Sequence, residues 1–558
     1  MSDPRVTTPP ARHARGWPLL AVLGAGVVVI VVAWFTFGRS LTSSGDDSKP
    51  PYVEAVVGAP SHVNPLYAYL NDVDRDLSSL VFSGLVRLGP DGQVQPDLAQ
   101  SWDISSDDKQ FTFHLRPGVS WHTGVAFTAD DVLFTFRLLA DPKLQGDPDQ
   151  VALWSALQCT APDPMTVACT LPFPYAPFLS YASIGILPNH ILQNVAPLAL
   201  YDDAFNKSPI GTGPYRLAEL DHTRAVLKAN GSYYLGVPLI DEIQFRFYPN
   251  SSSAAADVVR GQAQGFLVDL TASQQDFATL SSTSGLKAHT ATRSAYTALY
   301  LNNSTAPLND VAVRRAIAYT VNASDIVDKL LGGRGVPADS PIPPGTWAHS
   351  PDIRPYSHDP GQARDILDAA GWIAPEGGKV RARNGVELRL SLITDQDTLR
   401  GAIADAIAKE LAEVGIEATV ARQPSSSLVK DFLIPRTYQA AIYGWDPGAD
   451  PDPYPGWHSS QASGNGRNLA SYRNDAADKL MEDARRTNDL DQRRSLYYTF
   501  QESFKSDVPS VLLYYPTYTY FLSAQLGKVE LGTLFTNASR FNNVSQWTLE
   551  KAPDIAGG

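Results

Sequence analysis

Residues 443–460, YGWDPGADPDPYPGWHSS, form the segment whose residue types best suit the binding of a solute. Trp445 stands next to Asp446, and Asp450 follows in the same proline-rich loop. An aspartate in a water-excluded cleft can pair with an ammonium group, while a tryptophan ring offers apolar contact area. Prolines rigidify a loop, so little entropy is lost when it closes on a solute. We therefore predict that Trp445, Asp446 and Asp450 bind ligand; the alternative is that the Asp-Pro pairs only build turns.

Catalytic, metal-binding and cofactor-binding motifs are absent from the sequence. The patterns G-x-S-x-G, H-E-x-x-H and the phosphate-binding glycine loop do not occur. The aspartates of the 443–460 loop lack the spacing of a calcium loop, and two cysteines are too few for a structural zinc cluster. We therefore predict no catalytic residue, no metal site and no cofactor.

The two cysteines, Cys159 and Cys169, flank the segment APDPMTVA. Its Pro-Asp-Pro turn lies between two apolar stretches, so a hairpin centred on Pro164 would bring the two sulfurs face to face. A disulfide is one expectation in an oxidising compartment, and two buried thiols are the alternative.

An uncharged stretch at residues 17–38, WPLLAVLGAGVVVIVVAWFTFG, is long enough to cross a bilayer. Arginines precede it and aspartates follow it, so the positive-inside rule places residues 1–16 in the cytoplasm and the main body outside the cell membrane. We predict a cytoplasmic tail at 1–16, a transmembrane helix at 17–38 and a linker at 39–51. The alternative is a cleaved signal peptide, which would also export the rest of the chain.

Composition limits the partners of this exported body. The chain has 558 residues, of which 44% are apolar and 18% are charged, and its formal net charge is -13. The apolar content is sufficient for large hydrophobic cores. An acidic surface without a run of lysine or arginine repels phosphate backbones, so we predict no nucleic-acid binding.

Strand and helix patterns alternate along the chain on both sides of the 443–460 loop. This alternation predicts a mixed α/β chain whose elements position the loop. A strand at residues 438–443 leads directly into the loop. Residues 111–115 alternate as in a half-buried strand, and residues 403–414 carry a helical stripe that ends at Gly415, before another strand pattern. Helices followed directly by strands in the second half of the chain, and hairpin turns in the first half, predict two lobes.

Polar residues at the expected helix starts indicate side-chain caps. Thr128 and Asp131 have the spacing of a capping box. Asn309 and Asn322 are predicted to cap two successive helices.

Several segments in order resemble the family 5 extracellular solute-binding proteins, the receptors of bacterial ABC importers for dipeptides, oligopeptides, nickel complexes and related solutes. The resemblance covers about residues 52–550. The segments that carry it are PDLAQSWDISSDDKQFTFHLRPGVSWHTGVAFTADDVLFTFR at 96–137, ILPNHIL at 186–192, SPIGTGPYRL at 208–217, LKANGSYYLGVPLIDEIQFR at 227–246, LYLNNSTAPLNDVAVRRAIAYTVN at 299–322, PIPPG at 341–345 and YSHDPGQARDILDAAGW at 356–372.

The resemblance implies a two-lobed α/β fold of the periplasmic-binding-protein type, with an extra subdomain inserted in lobe I. Chain crossings between the lobes are expected near residues 298 and 518. The implied limits are 52–88, 209–298 and 519–558 for lobe I, 89–208 for the inserted subdomain, and 299–518 for lobe II.

The resemblance also implies the function and further site residues. In peptide-binding relatives an aspartate shortly after the loop tryptophan captures the amino terminus of the ligand; the usual three-residue spacing is missing here. The family's early loop, which reaches toward the cleft, corresponds to Asn64 and Tyr67, and a strand-to-helix turn is the alternative role for this segment. We expect a monomeric, membrane-anchored binding protein, not an enzyme, that delivers a peptide-like solute to an ABC permease. The alternatives are an anchored extracellular hydrolase, or a sensor or chaperone on the same fold.

Overall fold

The computed structural model describes residues 49–146, 148–376, 379–448 and 450–550. The predicted tail at 1–16, the predicted transmembrane helix at 17–38 and all but the end of the predicted linker lie outside these ranges. Within them, no helix combines the length and the apolar character needed to span a bilayer. A compact unit begins at Pro51.

Strands and helices alternate along the whole described chain. Up to residue 292 they are β1 (Tyr52–Val57), α1 (Asp72–Val81), β2 (Val86–Leu88), β3 (Val94–Pro96), β4 (Ala99–Ile104), β5 (Gln110–Leu115), α2 (Ala129–Ala140), α3 (Pro148–Ala156), β6 (Gln158–Asp163), β7 (Thr166–Thr170), α4 (Phe178–Tyr181), α5 (Asn189–Leu192), β8 (Tyr215–Leu220), β9 (Arg224–Ala229), β10 (Glu242–Tyr248), α6 (Ser251–Val259), β11 (Gly265–Val268), α7 (Gln274–Ser282) and β12 (Leu286–Thr292).

The same alternation continues to the end of the described chain. From residue 293 the elements are β13 (Tyr296–Leu301), α8 (Val311–Thr320), α9 (Ala323–Asp325), β14 (Gly335–Pro337), α10 (Pro360–Ala369), β15 (Ala382–Arg383), β16 (Val386–Glu387), β17 (Arg389–Asp395), α11 (Thr398–Glu413), β18 (Glu417–Gln423), α12 (Ser425–Ser427), β19 (Ala440–Trp445), α13 (Tyr454–Trp457), α14 (Asp475–Arg486), α15 (Leu490–Asp507), β20 (Ser510–Ser523), β21 (Leu526–Gly527) and β22 (Thr548–Leu549). Short 3₁₀ turns lie at Ala68–Leu70, Pro197–Asp202, Ala204–Lys207, Ser459–Gln461, Asn537–Phe541 and Val544–Gln546, and π-helical turns at Ile326–Leu330 and Leu428–Leu433.

One long sheet connects the two lobes. Its strand order is β18-β17-β19-β13-β20-β11-β1-β10-β9-β8, and β12 and β14 also pair with β20. The first part of β20 pairs with β13, and its last part pairs with β11 and β12. β20 therefore pairs with strands on both sides of residues 293–295, the segment that connects β12 to β13, while the limits of the lobes stay a prediction. The crossings predicted near 298 and 518 fall in β13 and β20.

Each lobe has its own hydrophobic core. The largest core is built from strands and helices between residues 52 and 247, together with residues of β20 and the C-terminal turns. Two further clusters pack residues 296–515 around β13, β17, β19 and the helices that cover them. Separate cores allow each lobe to keep its packing when the lobes move relative to each other.

A second, four-stranded sheet lies within residues 99–170, in the order β4-β5-β7-β6. Its strands β6 and β7 form the hairpin that the cysteine spacing predicts. The sulfurs of Cys159 and Cys169 are bonded at 2.06 Å, so the structure has the disulfide rather than the two free thiols. Between β5 and this hairpin, the predicted capping box of Thr128 and Asp131 is present at the start of α2.

Local predictions agree with the structure except at one cap and at the strand before the loop, which was predicted at 438–443 and is β19 at Ala440–Trp445. The strand at 111–115 and the helix before Gly415 are confirmed as β5 and α11. Asn322 caps α9 as predicted. The prediction for Asn309 was wrong: the cap of α8 is Asp310, whose carboxylate accepts the amide of Ala312 at 2.9 Å.

Asp97, between β3 and β4, is a buried carboxylate whose charge state should affect stability. Its side chain accepts a hydrogen bond from the Tyr234 hydroxyl, and the residue is only 7% exposed. Burial disfavours the charged form and raises the pKa of Asp97 to about 6, although the Tyr234 hydrogen bond opposes the rise. The folded state therefore holds this proton more tightly than the unfolded chain does. The resulting stabilisation is complete below pH ~4 and is lost as the pH rises through about 6.

We expect the stability of Asp97→Asn relative to wild type to increase by about 2–3 kcal/mol as the pH rises from ~4 to ~7, because only wild type loses the stabilisation by the bound proton. Urea unfolding at a series of pH values measures this difference, and the other titrating groups cancel in it. Asp221→Asn is the control, because hydrogen bonds from Thr223 lower the pKa of the exposed Asp221 carboxyl. Between pH ~4 and pH ~7 the stability of Asp221→Asn relative to wild type should stay constant, because a lowered carboxyl pKa changes stability only below pH ~4. A difference in stability between Asp97→Asn and wild type that does not change with pH would contradict the prediction.

Candidate functional site

The carboxyl ends of strands from the two lobes face each other along β20. The parallel strands β1 and β11 end at Val57 and Val268, and β11 runs antiparallel to the last part of β20. In the other lobe β19 ends at Trp445 and lies antiparallel to β13, which in turn pairs antiparallel with the first part of β20. Both sets of strands therefore point toward the middle of β20. Open α/β sheets bind ligands beyond the carboxyl ends of their strands, so this region is the candidate site.

A hydrogen-bonded chain of three residues joins the lobes at this point. Arg293 lies in the passage between β12 and β13, and its Nη1 donates to the hydroxyl of Tyr518 in β20 at 2.5 Å. Its Nη2 donates to Oδ2 of Asp446 at 3.1 Å. Burial disfavours the cation, but Tyr518 and Asp446 outweigh this effect and raise the pKa of Arg293. The guanidinium therefore stays charged beside the predicted ligand residue Asp446.

Trp445, the predicted ligand tryptophan, is the last residue of β19 and stands next to Asp446. Trp445 is partly buried, and its ring packs beside Gly456, where an added Cβ would be 3.4 Å from the indole. Asp446 is 42% exposed, and its Oδ1 accepts the amide of Gly448 at 2.9 Å. The tight turn thus holds one carboxylate oxygen toward Arg293 and leaves the side chain accessible to solvent.

A cavity of ≈ 180 Å³ opens at the ends of β1 and β11. Its charged lining residues are three aspartates, Asp72, Asp76 and Asp269, and one arginine, Arg540. The charge of Arg540 is already compensated by ion pairs with Asp76 and Glu54. Asp72 is half exposed and contacts Arg75 at 2.7 Å. The residues that line the cavity are Ala55, Val56, Val57, Asp72, Asp76, Ser251, Phe266, Leu267, Asp269, Thr271, Asn537 and Arg540.

Asp450, the third predicted loop residue, is paired inside the second lobe. Its two carboxylate oxygens accept from Nη2 and Nη1 of Arg493 at 2.8 and 3.2 Å, and both side chains are less than 10% exposed. Asp452, which is 6% exposed, forms a second ion pair at 2.8 Å with Arg485, which is 22% exposed. These two ion pairs fix the loop onto α14 and α15. The sequence offered no signal for the two arginines, because the helices that carry them follow the loop with no recognisable motif.

Asn64 and Tyr67 lie inside the first lobe. Asn64 donates through Nδ2 to Asn206 at 2.9 Å and accepts the amide of Leu66 at 3.0 Å. Tyr67 is fully buried, its ring centre is 5.2 Å from that of Tyr201, and burial raises the pKa of its hydroxyl. Neither residue lines the 180 Å³ cavity. The structure therefore does not bring them together with Trp445 and Asp446.

One serine and histidine pair has the separation that a hydrolase would need. The hydroxyl of Ser460 is 2.8 Å from Nδ1 of His458, and Oε1 of Glu482 is 3.3 Å from Nε2. However, Nδ1 also accepts the backbone amide of Ser460 at 3.0 Å, so the imidazole caps the 3₁₀ turn that follows it. Within the described ranges, this site included, no group of three or more His, Cys, Asp or Glu residues could hold a metal ion. Capping explains this pair without catalysis.

Comparisons with known proteins agree on one family. Residues 93–468 match the profile of the bacterial extracellular solute-binding proteins, family 5. The oligopeptide-binding protein AppA of Bacillus subtilis is 29% identical over 508 residues, which covers 88% of this chain and 92% of that protein.

Solved structures extend the match to the fold. The structure of Bacillus subtilis AppA in complex with a nonapeptide has a TM-score of 0.69 at 28% identity and covers 90% of this chain and 99% of that one. The structure of NikZ from Campylobacter jejuni in complex with Ni(L-His) has a TM-score of 0.70 at 28% identity, with 89% and 99% covered. The two-lobed α/β fold is therefore that of periplasmic binding proteins.

Proposed function

Because this chain belongs to the family 5 bacterial extracellular solute-binding proteins, we propose that it captures a peptide-like solute between its lobes and delivers it to an ABC permease. Members of this family are binding proteins of transporters, so the chain is not an enzyme. The oligopeptide-binding relative favours a peptide over the other solutes of the family.

The contact of Asp446 with Arg293 is the observation that carries this proposal. It joins the ligand loop of one lobe to the passage between the lobes, where the strand ends face each other. A partly exposed carboxylate at this point can accept an ammonium group of a solute. The acidic wall of the nearby cavity, with Asp72 and Asp269, would attract the same positive end.

Closure of the lobes is part of the proposal. Lobe I would comprise residues 52–88, 209–298 and 519–558, its inserted subdomain residues 89–208, and lobe II residues 299–518, in one monomer. Two passages of the chain connect the lobes, so a hinge motion needs to change few backbone angles. A solute that contacts both lobes binds the closed state more tightly and shifts the population toward it.

Mass spectrometry of the molecules that co-purify with the chain tests the solute class. We expect peptides, and calorimetric titration of the recovered peptides into the unliganded protein should give saturable binding with one site. X-ray scattering should then show a smaller radius of gyration with bound peptide. Absence of binding by peptides of any length would contradict the peptide assignment.

We propose that residues 17–38 anchor the protein in the cell membrane, with the body outside, because the stretch is uncharged and preceded by arginines. We expect the full chain to fractionate with membranes and a chain beginning at Pro50 to be soluble. Mass measurement of the mature protein is the check. A mature N-terminus after residue 38 would show cleavage and contradict the anchor.

A further inference from the structure

Arg485 in α14 makes another contact between the lobes. On the side of the first lobe this contact includes Tyr175 and Ala176, in the segment that follows the four-stranded sheet. The backbone amide of Ala176 in this segment donates to the carbonyl of Arg485 in α14 at 2.8 Å. Nη2 of the same arginine donates to the hydroxyl of Tyr175 at 3.3 Å. Both the backbone and the side chain of Arg485 therefore contact the first lobe.

The guanidinium of Arg485 lies between two tyrosine rings from different lobes. Its central carbon is 3.9 Å from the ring centre of Tyr454 and 4.9 Å from that of Tyr175. Its Nε is 2.8 Å from Oδ2 of Asp452, which is almost fully buried. A planar, charged group between two aromatic faces gains from both of them, and a lysine ammonium does not reproduce this geometry.

These contacts connect the lobe interface to the ligand loop. Asp452 and Tyr454 belong to the loop that follows Trp445, and the carboxylate of Asp452 also accepts the amide of Tyr454 at 3.1 Å. The contacts of Arg485 with the loop lie within one lobe and can persist when the lobes separate. Its contacts with Tyr175 and Ala176 exist only while the lobes touch.

We propose that Arg485 is a positioning residue that couples contact between the lobes to the conformation of the ligand loop. Through Tyr175 the first lobe holds the guanidinium against Asp452 and Tyr454, and so the loop is ordered most strongly when the lobes are closed. This inference rests on the proposed function, since the loop is assigned to ligand binding there. Its consequence is that a residue to which no solute contact is assigned affects how well the closed state is formed for solute.

Hydrogen exchange of the unliganded full chain, read by mass spectrometry with single-residue resolution, tests the coupling from both sides. The variants are Arg485→Lys in one lobe and Tyr175→Ala in the other. The reporters are the amide of Ala176, which measures contact between the lobes, and the amide of Tyr454, which measures order in the loop. The matched control is Arg486→Lys, because this neighbouring arginine is 59% exposed and pairs with Glu482 within its own helix.

We expect the Ala176 amide to exchange about tenfold faster in both variants, from the loss of one cation–π contact and one hydrogen bond. Tyr175→Ala should also accelerate the Tyr454 amide severalfold, although the substitution lies in the opposite lobe. The control should match wild type at both amides. Tyr175→Ala keeps the Arg485–Asp452 pair, so it remains informative if Arg485→Lys perturbs folding.

Unchanged exchange at Tyr454 in Tyr175→Ala would overturn the coupling, and so would an equal effect of Arg486→Lys. Because the measurement uses no solute, it is separate from the test of the proposed function. Failure of peptides to bind wild type would contradict the assignment of the solute, whereas the exchange result decides only whether Arg485 couples the lobes to the loop.

Discussion

Replacing Arg540 with alanine is expected to destabilise the folded protein by about 3–5 kcal/mol. Arg540 is 2% exposed, and its Nη2 lies 3.0 Å from Glu54 and 2.5 Å from Asp76, two carboxylates that are also buried. Tyr520 donates to the same glutamate at 2.7 Å. Loss of the guanidinium would leave two buried negative charges without a cation, and this desolvation penalty is the source of the large effect.

Urea unfolding with circular dichroism measures the Arg540→Ala effect. Arg224→Ala is the matched control, because its pair with Glu219 at 2.8 Å is exposed on both sides, and we expect a change within about 0.5 kcal/mol. The deficit of Arg540→Ala should become smaller at acidic pH, since burial raises the pKa of Glu54 and of Asp76 and favours their neutral forms. A deficit below about 1 kcal/mol at neutral pH would mean that the cluster is hydrated rather than buried.

The local elements near the site were predictable because interactions within a few residues determine them. The helical stripe at 403–414 and Gly415 correspond to α11, with β18 directly after it, because side-chain period and a glycine turn act over one or two turns of chain. The wrong prediction of a cap at Asn309 also concerns interactions between neighbouring residues. Asn309 and Asp310 are adjacent capping residues, and the sequence alone does not decide which one begins the helix.

The partners of the loop aspartates were not predictable, since they lie far along the chain. Arg293 is 153 residues from Asp446, and Arg493 is 43 residues from Asp450. These pairs depend on the register of β20 with strands of both lobes and on the packing of α15 against the loop. Loop composition identified a segment with suitable chemistry, but it could not show that Asp450 points inward.

Substitutions in the loop that contains Asp446 and Asp450 can therefore separate an effect on stability from an effect on affinity. Asp450→Asn removes the charge opposite the buried Arg493, so we expect it mainly to lower the free energy of unfolding. Asp446 is partly exposed and its arginine is less buried, so Asp446→Asn should cost little stability. Substitutions four residues apart in one loop should thus act on different quantities.

Trp445→Ala is expected to weaken binding of the co-purified peptide by about 2–4 kcal/mol, roughly 30- to 1,000-fold, because it removes the apolar contact area of the indole ring. Asp446→Asn should weaken the same binding by about 1–2 kcal/mol, because solvent and Arg293 already screen its partly exposed charge. Calorimetric titration measures both, and the melting temperature of each unliganded variant separates lost affinity from lost folding. Asp450→Asn is the control in which stability falls more than affinity. If Trp445→Ala and Asp446→Asn both bind within threefold of wild type, the loop is a scaffold and the solute contacts other residues.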